Sequence, residues 1–337
     1  MEVAIIGGGS FGTAIANIVA RNGFVTHLWM RDEDQVADCI RHRENRRYLP
    51  GHPLHGQVQP TSDLALAMSR SSVTFLSVPS ASFREVAGQL ALHTASHDIV
   101  ISATKGIEAD GFRLMSQILA ELVPTERIGV LSGPNLAEEI ADGQYSGTVI
   151  ASRDPSVCET LQQILRSDTF RVYANADVYG VELGGALKNI YAIVCGIAAG
   201  LGVGLNTVSM LITRSLAEMS RFAVSLGANP FTFLGLAGVG DLMVTCLSPL
   251  SRNYQLGLRL GRGMTLDDAL TDLNKLAEGV NTLRVVSARA RELDVYMPLC
   301  TGLARVLFEG ETLGVVVNEL MTGGQPLDVE FDVGARR

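Results

Sequence analysis

Cysteine is scarce and scattered. Its five copies, Cys39, Cys158, Cys195, Cys246 and Cys300, include no C-x-x-C pair and no histidine spacing suited to zinc, so no metal site is expected. The thiols read instead as buried and reduced. Positive charge is also short. Twenty-seven Lys and Arg against 35 Asp and Glu leave a net charge of −8, which argues against a general binder of nucleic acid or of anionic membranes. Any anionic ligand must then be held by a few local cations. Long apolar runs are missing too. The longest uncharged stretch, residues 189–213, is broken by Gly196, Gly200, Gly202 and Gly204 and carries Asn206, which fits a buried helix with a break better than a membrane span. No leader segment stands ahead of the first apolar run, and no internal repeat or low-complexity tract is present, so the expected location is the cytoplasm.

What remains is the composition of a globular protein, 47% hydrophobic and 18% charged, long enough at 337 residues for two domains. Its most informative stretch comes first: Val3-Ala4-Ile5-Ile6-Gly7-Gly8-Gly9-Ser10-Phe11-Gly12. Four apolar residues without polar alternation predict a strand buried on both faces. Gly7, Gly9 and Gly12 fall on the G-x-G-x-x-G spacing ahead of a helical run over 13–21, and a second strand is expected over 25–30. Gly7 suits a tight turn, Gly9 a close approach to a pyrophosphate, and Gly12 close helix–strand packing. The pyrophosphate would lie on the unpaired N–H groups of the helix N-terminus. The bland reading of the same residues is a plain Gly-rich turn. Where an acid is expected after the second strand, Arg31 stands with Asp32 beside it. Arginine suits the 2′-phosphate of NADP and aspartate the ribose of NAD.

Strands are expected again over 73–78, 98–103, 128–131, 148–151 and 170–173, with helices over 64–68, 83–92, 112–122 and 157–165 between them. That alternation predicts an N-terminal Rossmann-type, doubly wound parallel sheet. The loops at the carboxyl ends of its strands are then the places for ligands: Val78-Pro79-Ser80, Thr104-Lys105-Gly106 and Ser132-Gly133-Pro134. The arginines around 41–47 read as a solvated charge run. After about residue 177 strand patterns vanish and helical periodicity takes over, so the expected organisation is a dinucleotide-binding domain over 1–176, an all-α substrate or catalytic domain over 177–328 and a tail over 329–337.

Three polar clusters in the second half can carry chemistry. Lys188-Asn189 sits in an apolar helical run, where a lysine is unusual, although most helical lysines are simply solvated. Gly240-Asp241 precedes an apolar run and can be either a helix cap or a buried acid. Ser251-Arg252-Asn253 opens a helix, where it can cap or can cradle a phosphate with charge, forked donors and free N–H groups.

Taken in order, these stretches resemble the soluble NAD(P)-dependent glycerol-3-phosphate dehydrogenases. The matching motifs are Gly7-Gly8-Gly9-Ser10-Phe11-Gly12-Thr13-Ala14, Asn45-Arg46-Arg47-Tyr48-Leu49-Pro50-Gly51, Thr104-Lys105-Gly106, Ser132-Gly133-Pro134-Asn135, Lys188-Asn189, Gly240-Asp241, Ser251-Arg252-Asn253 and Glu278-Gly279. The resemblance implies hydride transfer between NAD or NADP and carbon 2 of dihydroxyacetone phosphate or sn-glycerol 3-phosphate, supplying glycerophospholipid synthesis. It implies Lys188 as the proton-exchanging group with Lys105 beside it, and Asp241 and Thr245 positioning the reacting end. It further implies Ser251, Arg252 and Asn253 on the phosphate, and Gly133 and Asn135 lining the substrate side. Ser10, Phe11, Arg31, Lys105, Ala137, Arg252, Leu276 and Glu278 would contact the dinucleotide, and the helical half would form a homodimer. Many bacterial members carry a small hydroxyl residue where Asn135 stands, and valine is common at the position of Leu276. Two other readings compete. One is a related dehydrogenase of another hydroxy acid or phosphorylated polyol. The other is a non-catalytic nicotinamide sensor, against which both lysines and Asp241 count.

Overall fold

Burial on both faces makes the first apolar run a central strand. In a computed structural model, which describes residues 1–273 and 277–324, β1 (Glu2–Ile6) pairs in parallel with β2 (Thr26–Trp29) on one side and β4 (Ser71–Leu76) on the other. Its residues alternate between two cores. Val3 and Ile5 join one, while Ala4 and Ile6 join the other, on the opposite face of the sheet. Beyond β2 lies the edge strand β3 (Val58–Thr61). On the far side follow β5 (Ile99–Ser102), β8 (Ile128–Ser132), β9 (Ser146–Ser152) and β10 (Phe170–Asn175), a small hairpin of β6 (Ile107–Glu108) and β7 (Arg113–Leu114) standing apart. The order β10-β9-β8-β5-β4-β1-β2-β3 reverses beside β1, which is the switch point where such sheets bind ligands. One pairing departs from the all-parallel expectation: β9 runs antiparallel to β8, and β10 follows β9. Strand direction leaves no trace in an apolar run, because both directions bury both faces.

The helices over this sheet are α1 (Ser10–Arg21), α2 (Glu33–His42), α3 (Leu64–Met68), α4 (Ser80–Ala91), α5 (Met115–Leu122), α6 (Ala137–Ala141) and α7 (Pro155–Leu165). After them runs α8 (Val178–Gly200), then α9 (Leu205–Ser225), a 3₁₀ turn (Pro230–Leu234), a π-helical turn (Leu236–Gly240), α10 (Asp241–Leu247), α11 (Arg252–Gly261), α12 (Leu266–Leu273), α13 (Glu278–Glu292), α14 (Pro298–Phe308) and α15 (Leu313–Thr322). The break expected in the uncharged run falls between α8 and α9. By length and composition α8 alone among the described helices could cross a membrane, yet 83% of its most apolar window is buried within the protein. All five cysteines are buried.

By internal packing the chain forms two compact units. One is Met1–Ala186 with Leu234–Asp241, and the other is Leu187–Phe233 with the chain from Leu242 onward. Residues 329–337 lie outside the described residues.

Two glutamates, one in each unit, are buried and held by backbone N–H and hydroxyl donors. Glu182 of α8 accepts from the backbone N–H of Ser116 at 2.8 Å and from its hydroxyl, and burial lifts its carboxyl to about 7. Glu218 of α9 accepts from the N–H groups of Leu299 (2.6 Å) and Cys300 (3.1 Å) and from the Tyr191 hydroxyl (3.1 Å), and burial raises it likewise to about 7. A carboxyl raised on folding holds its proton better in the native state than in the unfolded chain. Its contribution to stability is therefore whole below pH ~4 and disappears as pH rises through about 7. Glu218→Gln keeps the shape and cannot ionise. Between pH 5 and 8 the parent is expected to lose roughly 2–3 kcal/mol relative to this variant, read by calorimetry at both pH values. A difference that stays constant across that window would mean Glu218 does not titrate there.

Candidate active site

The Gly-rich turn is shaped by what its neighbours exclude. Gly7 has φ of +125°, and a side chain on it would reach within 2.1 Å of the Ser77 carbonyl. A side chain on Gly12 would reach within 2.0 Å of the Gly7 carbonyl, so α1 can approach the turn only with glycine there. Gly9 is different: nothing lies within 4 Å of where its side chain would project. It is the N-cap of α1 and offers no side-chain cap, which leaves the first-turn N–H groups for a ligand. This combination fits a pyrophosphate. Phe11 is half-buried in the first turn, and the Ser10 hydroxyl donates to the Tyr48 carbonyl at 2.6 Å.

That last bond belongs to a wall the sequence reading missed. The segment around 43–48 is largely solvated, as expected of a charge run, but Asn45 within it is buried. Its amide donates to the Gly8 carbonyl (2.9 Å) and to the Thr13 hydroxyl (2.8 Å), and Gln35 of α2 donates to the same carbonyl at 2.8 Å. The signal lay in an asparagine opening the Asn45-Arg46-Arg47-Tyr48 string, which charge alone obscured. At the end of β2, Asp32 caps α2 by accepting from the Gln35 N–H, and Arg47 donates to its other oxygen at 2.8 Å. Together they hold its carboxyl below the usual range, the cap contributing more. Arg31 points its guanidinium toward Glu85 at 3.7 Å.

In the same unit, the loop after β5 carries Lys105. Its ammonium donates to Asp241 at 2.7 Å and to the Gly133 carbonyl at 2.8 Å. Asp241 is fully buried. It opens α10 directly after the π-helical turn, a backbone irregularity frequent at functional sites. The Gly-Asp step thus provides a buried ion pair. Gly133 has φ of +119°, which turns its carbonyl to Lys105 at the end of β8. Asn135 donates from its amide to Thr148 at 3.0 Å, while among the described residues its Oδ1 is buried without a hydrogen-bond partner, as is the hydroxyl of Ser132. A buried acceptor in that condition has room for a donor from water or a ligand. Ala137, first residue of α6, packs half-buried against the core on the α1 face.

In the helical unit, Lys188 is buried in α8 at 7% exposure, so it is not one of the solvated majority. Its neighbour Asn189 accepts from Asn253 at 3.0 Å, and Asn253 in turn accepts from the Gly279 N–H at 3.0 Å. Asn253 thereby braces the start of α13, where Glu278 is half-buried, instead of simply facing outward. Ser251 caps α11 by accepting from the Tyr254 N–H, and Arg252, first residue of that helix, is exposed. Thr245 is buried in α10, one turn beyond Asp241. Leu276 lies outside the described residues.

Known proteins resemble this chain over its whole length. The family model for the NAD-dependent glycerol-3-phosphate dehydrogenase N-terminus matches residues 2–158, and that for its C-terminus matches residues 177–318. A glycerol-3-phosphate dehydrogenase [NAD(P)+] of Teredinibacter turnerae is 56% identical over 336 residues, covering 100% of this chain and 99% of the relative. That of Ectopseudomonas mendocina is 58% identical over 329 residues, covering 98% and 96%. The crystal structure of glycerol-3-phosphate dehydrogenase from Coxiella burnetii superimposes with a TM-score of 0.91 at 35% identity, covering 96% of this chain and 99% of the other.

Proposed function

Because the chain belongs to the NAD-dependent glycerol-3-phosphate dehydrogenase family, we propose that Lys105, Asp241 and Lys188 carry its reaction, the interconversion of sn-glycerol 3-phosphate and dihydroxyacetone phosphate. The observation that supports this assignment above all is the Lys105–Asp241 pair at 2.7 Å with its acid fully buried. A bound nicotinamide supplies or accepts the hydride at carbon 2. Gly7, Gly9 and Gly12 with the first turn of α1 would hold its pyrophosphate, with Ser10, Phe11, Ala137 and Glu278 along its length.

The chain's own residues handle the oxygen on carbon 2. Negative charge grows there in the reducing direction, and a positioned ammonium neutralises it and delivers a proton. Lys188 takes the proton-exchanging role. Asp241 and Gly133 fix the direction in which the Lys105 ammonium points, and Asp241 balances its charge. Thr245 helps position the reacting end. The unpartnered Oδ1 of Asn135 would accept from a substrate hydroxyl. Ser251 and Arg252 would grip the phosphate, with Asn253 holding the start of their helix against α13.

Arg252 tests the phosphate assignment. Arg252→Ala removes a charge-assisted contact of about 1.5–3 kcal/mol, roughly 10–200-fold in kcat/KM for dihydroxyacetone phosphate. The loss should be much smaller with unphosphorylated dihydroxyacetone, at saturating cofactor followed by NADH and NADPH oxidation in parallel. Equal losses with both substrates would remove Arg252 from the phosphate site.

We extend the reading to a cytoplasmic homodimer that supplies glycerophospholipid synthesis. Apolar side chains exposed on α9 and α15, among them Met210, Val317 and Met321, support association through the helical unit. Light scattering is expected to give a mass about twice the 36.0 kDa of one chain, and a monomer at micromolar concentration would argue against it.

A further inference from the structure

We propose that Arg47 sets the balance between the two nicotinamide cofactors: it screens Asp32 and, with Arg31, meets a 2′-phosphate. This rests on the dinucleotide reading of the first strand, turn and helix. An acid at the end of the second strand favours a free ribose hydroxyl and repels a phosphate in the same place. Asp32 is such an acid, yet its charge is not presented bare. Asp32 Oδ1 takes the Gln35 N–H at 3.1 Å and Oδ2 takes the Arg47 guanidinium at 2.8 Å.

Arg47 is held where this matters. Its guanidinium lies 5.3 Å from the centre of the Tyr48 ring. The carbonyl of Tyr48 is bonded by Ser10 at the head of α1, and two residues earlier Asn45 is bonded to Gly8. The loop bearing Arg47 is therefore tied at both points to the pyrophosphate turn. Arg31, next to Asp32 in the chain, lies 3.7 Å from the Glu85 carboxylate. At the position that reads the adenosine ribose, one aspartate is thus paired with Arg47 and preceded in the chain by Arg31. With a 2′-hydroxyl the aspartate can accept its proton while Arg47 stays paired. With a 2′-phosphate, both guanidiniums present forked donors to it and Asp32 remains compensated.

The two roles of Arg47 separate in a double-mutant cycle. Affinities for NADPH, NADH, adenosine 2′,5′-bisphosphate and adenosine 5′-monophosphate would be measured by titration in the parent, Arg47→Ala, Asp32→Asn and the double variant. Arg47→Ala is expected to lower the NADPH-to-NADH affinity ratio about 10-fold or more, the low end for an exposed charge-assisted contact. The bisphosphate should follow NADPH and the monophosphate NADH. Asp32→Asn added to Arg47→Ala should recover part of the lost ratio, because the uncompensated charge is gone, and Arg47→Lys should keep most of it. An unchanged ratio in Arg47→Ala would overturn the proposal. A double variant no better than Arg47→Ala would overturn the screening role. Failure of the parent to bind any of the four would instead defeat the dinucleotide reading itself, and the proposal with it.

Discussion

Replacing Lys188 by methionine is expected to lower turnover by ~10²–10⁴-fold, the range for loss of a general acid or base, while folding and dinucleotide binding persist. Lys188 is buried in α8, with Leu187 before it and Ile190 two residues on, both fully buried. Methionine fills similar space there without a charge to desolvate. The variant should therefore melt near the parent temperature and titrate NADH normally, while dihydroxyacetone phosphate reduction collapses in kcat more than in KM. Near-normal kcat would reduce Lys188 to a structural residue. A variant that fails to fold would be replaced by Lys188→Gln, for which the same split between kcat and KM is expected.

Asp241→Asn should be nearly as damaging, by a different route. The substitution keeps an acceptor but strips the counter-charge from an ammonium whose side chain is only 17% exposed. Breaking a buried pair from one side typically costs about 3–5 kcal/mol, and the partial exposure of Lys105 points to the lower end. On the role proposed for Lys105, loss of its preorganisation adds ~10²–10³-fold in kcat. The two effects are separable. Lys105→Met with Asp241→Leu removes both charges and should regain much of the stability while turnover stays low. Recovery of turnover along with stability would mean the pair only holds the fold.

The parts legible in the sequence are those fixed by neighbours along the chain. The spacing of Gly7, Gly9 and Gly12 after an apolar run predicted the turn, and helical periodicity predicted the run of helices after residue 177. What escaped was decided elsewhere. The strand over Val58–Thr61 was not among those expected; it carries Pro60, and as an edge strand β3 tolerates the missing donor. Helix α2 buries only Val36 and Cys39, too thin a stripe to stand out beside its charges. The reversal of β9 depends on partner strands and not on its own residues. In the site, Lys105 and Asp241 were each suspected, but a pairing across 136 residues has no local signature. Asn45 was quoted as part of a motif, and its role became visible only once its amide was seen on Gly8 and Thr13.

The return of residues Leu234–Asp241 to the first unit also bears on the order in which a competent molecule can come into being. A ribosome releases every strand of the sheet, the pyrophosphate turn and Lys105 long before Asp241 has been made. A nascent or truncated chain ending near Ala186 would own the whole sheet and still lack the Asp241 carboxylate that pairs with its lysine ammonium. Grafting another protein's helical half after that point would carry the same defect unless the graft brought its own acid to the end of the π-helical turn. The two halves are thus not interchangeable cassettes: the boundary that packing draws is crossed by the chain itself, and the crossing delivers a charge.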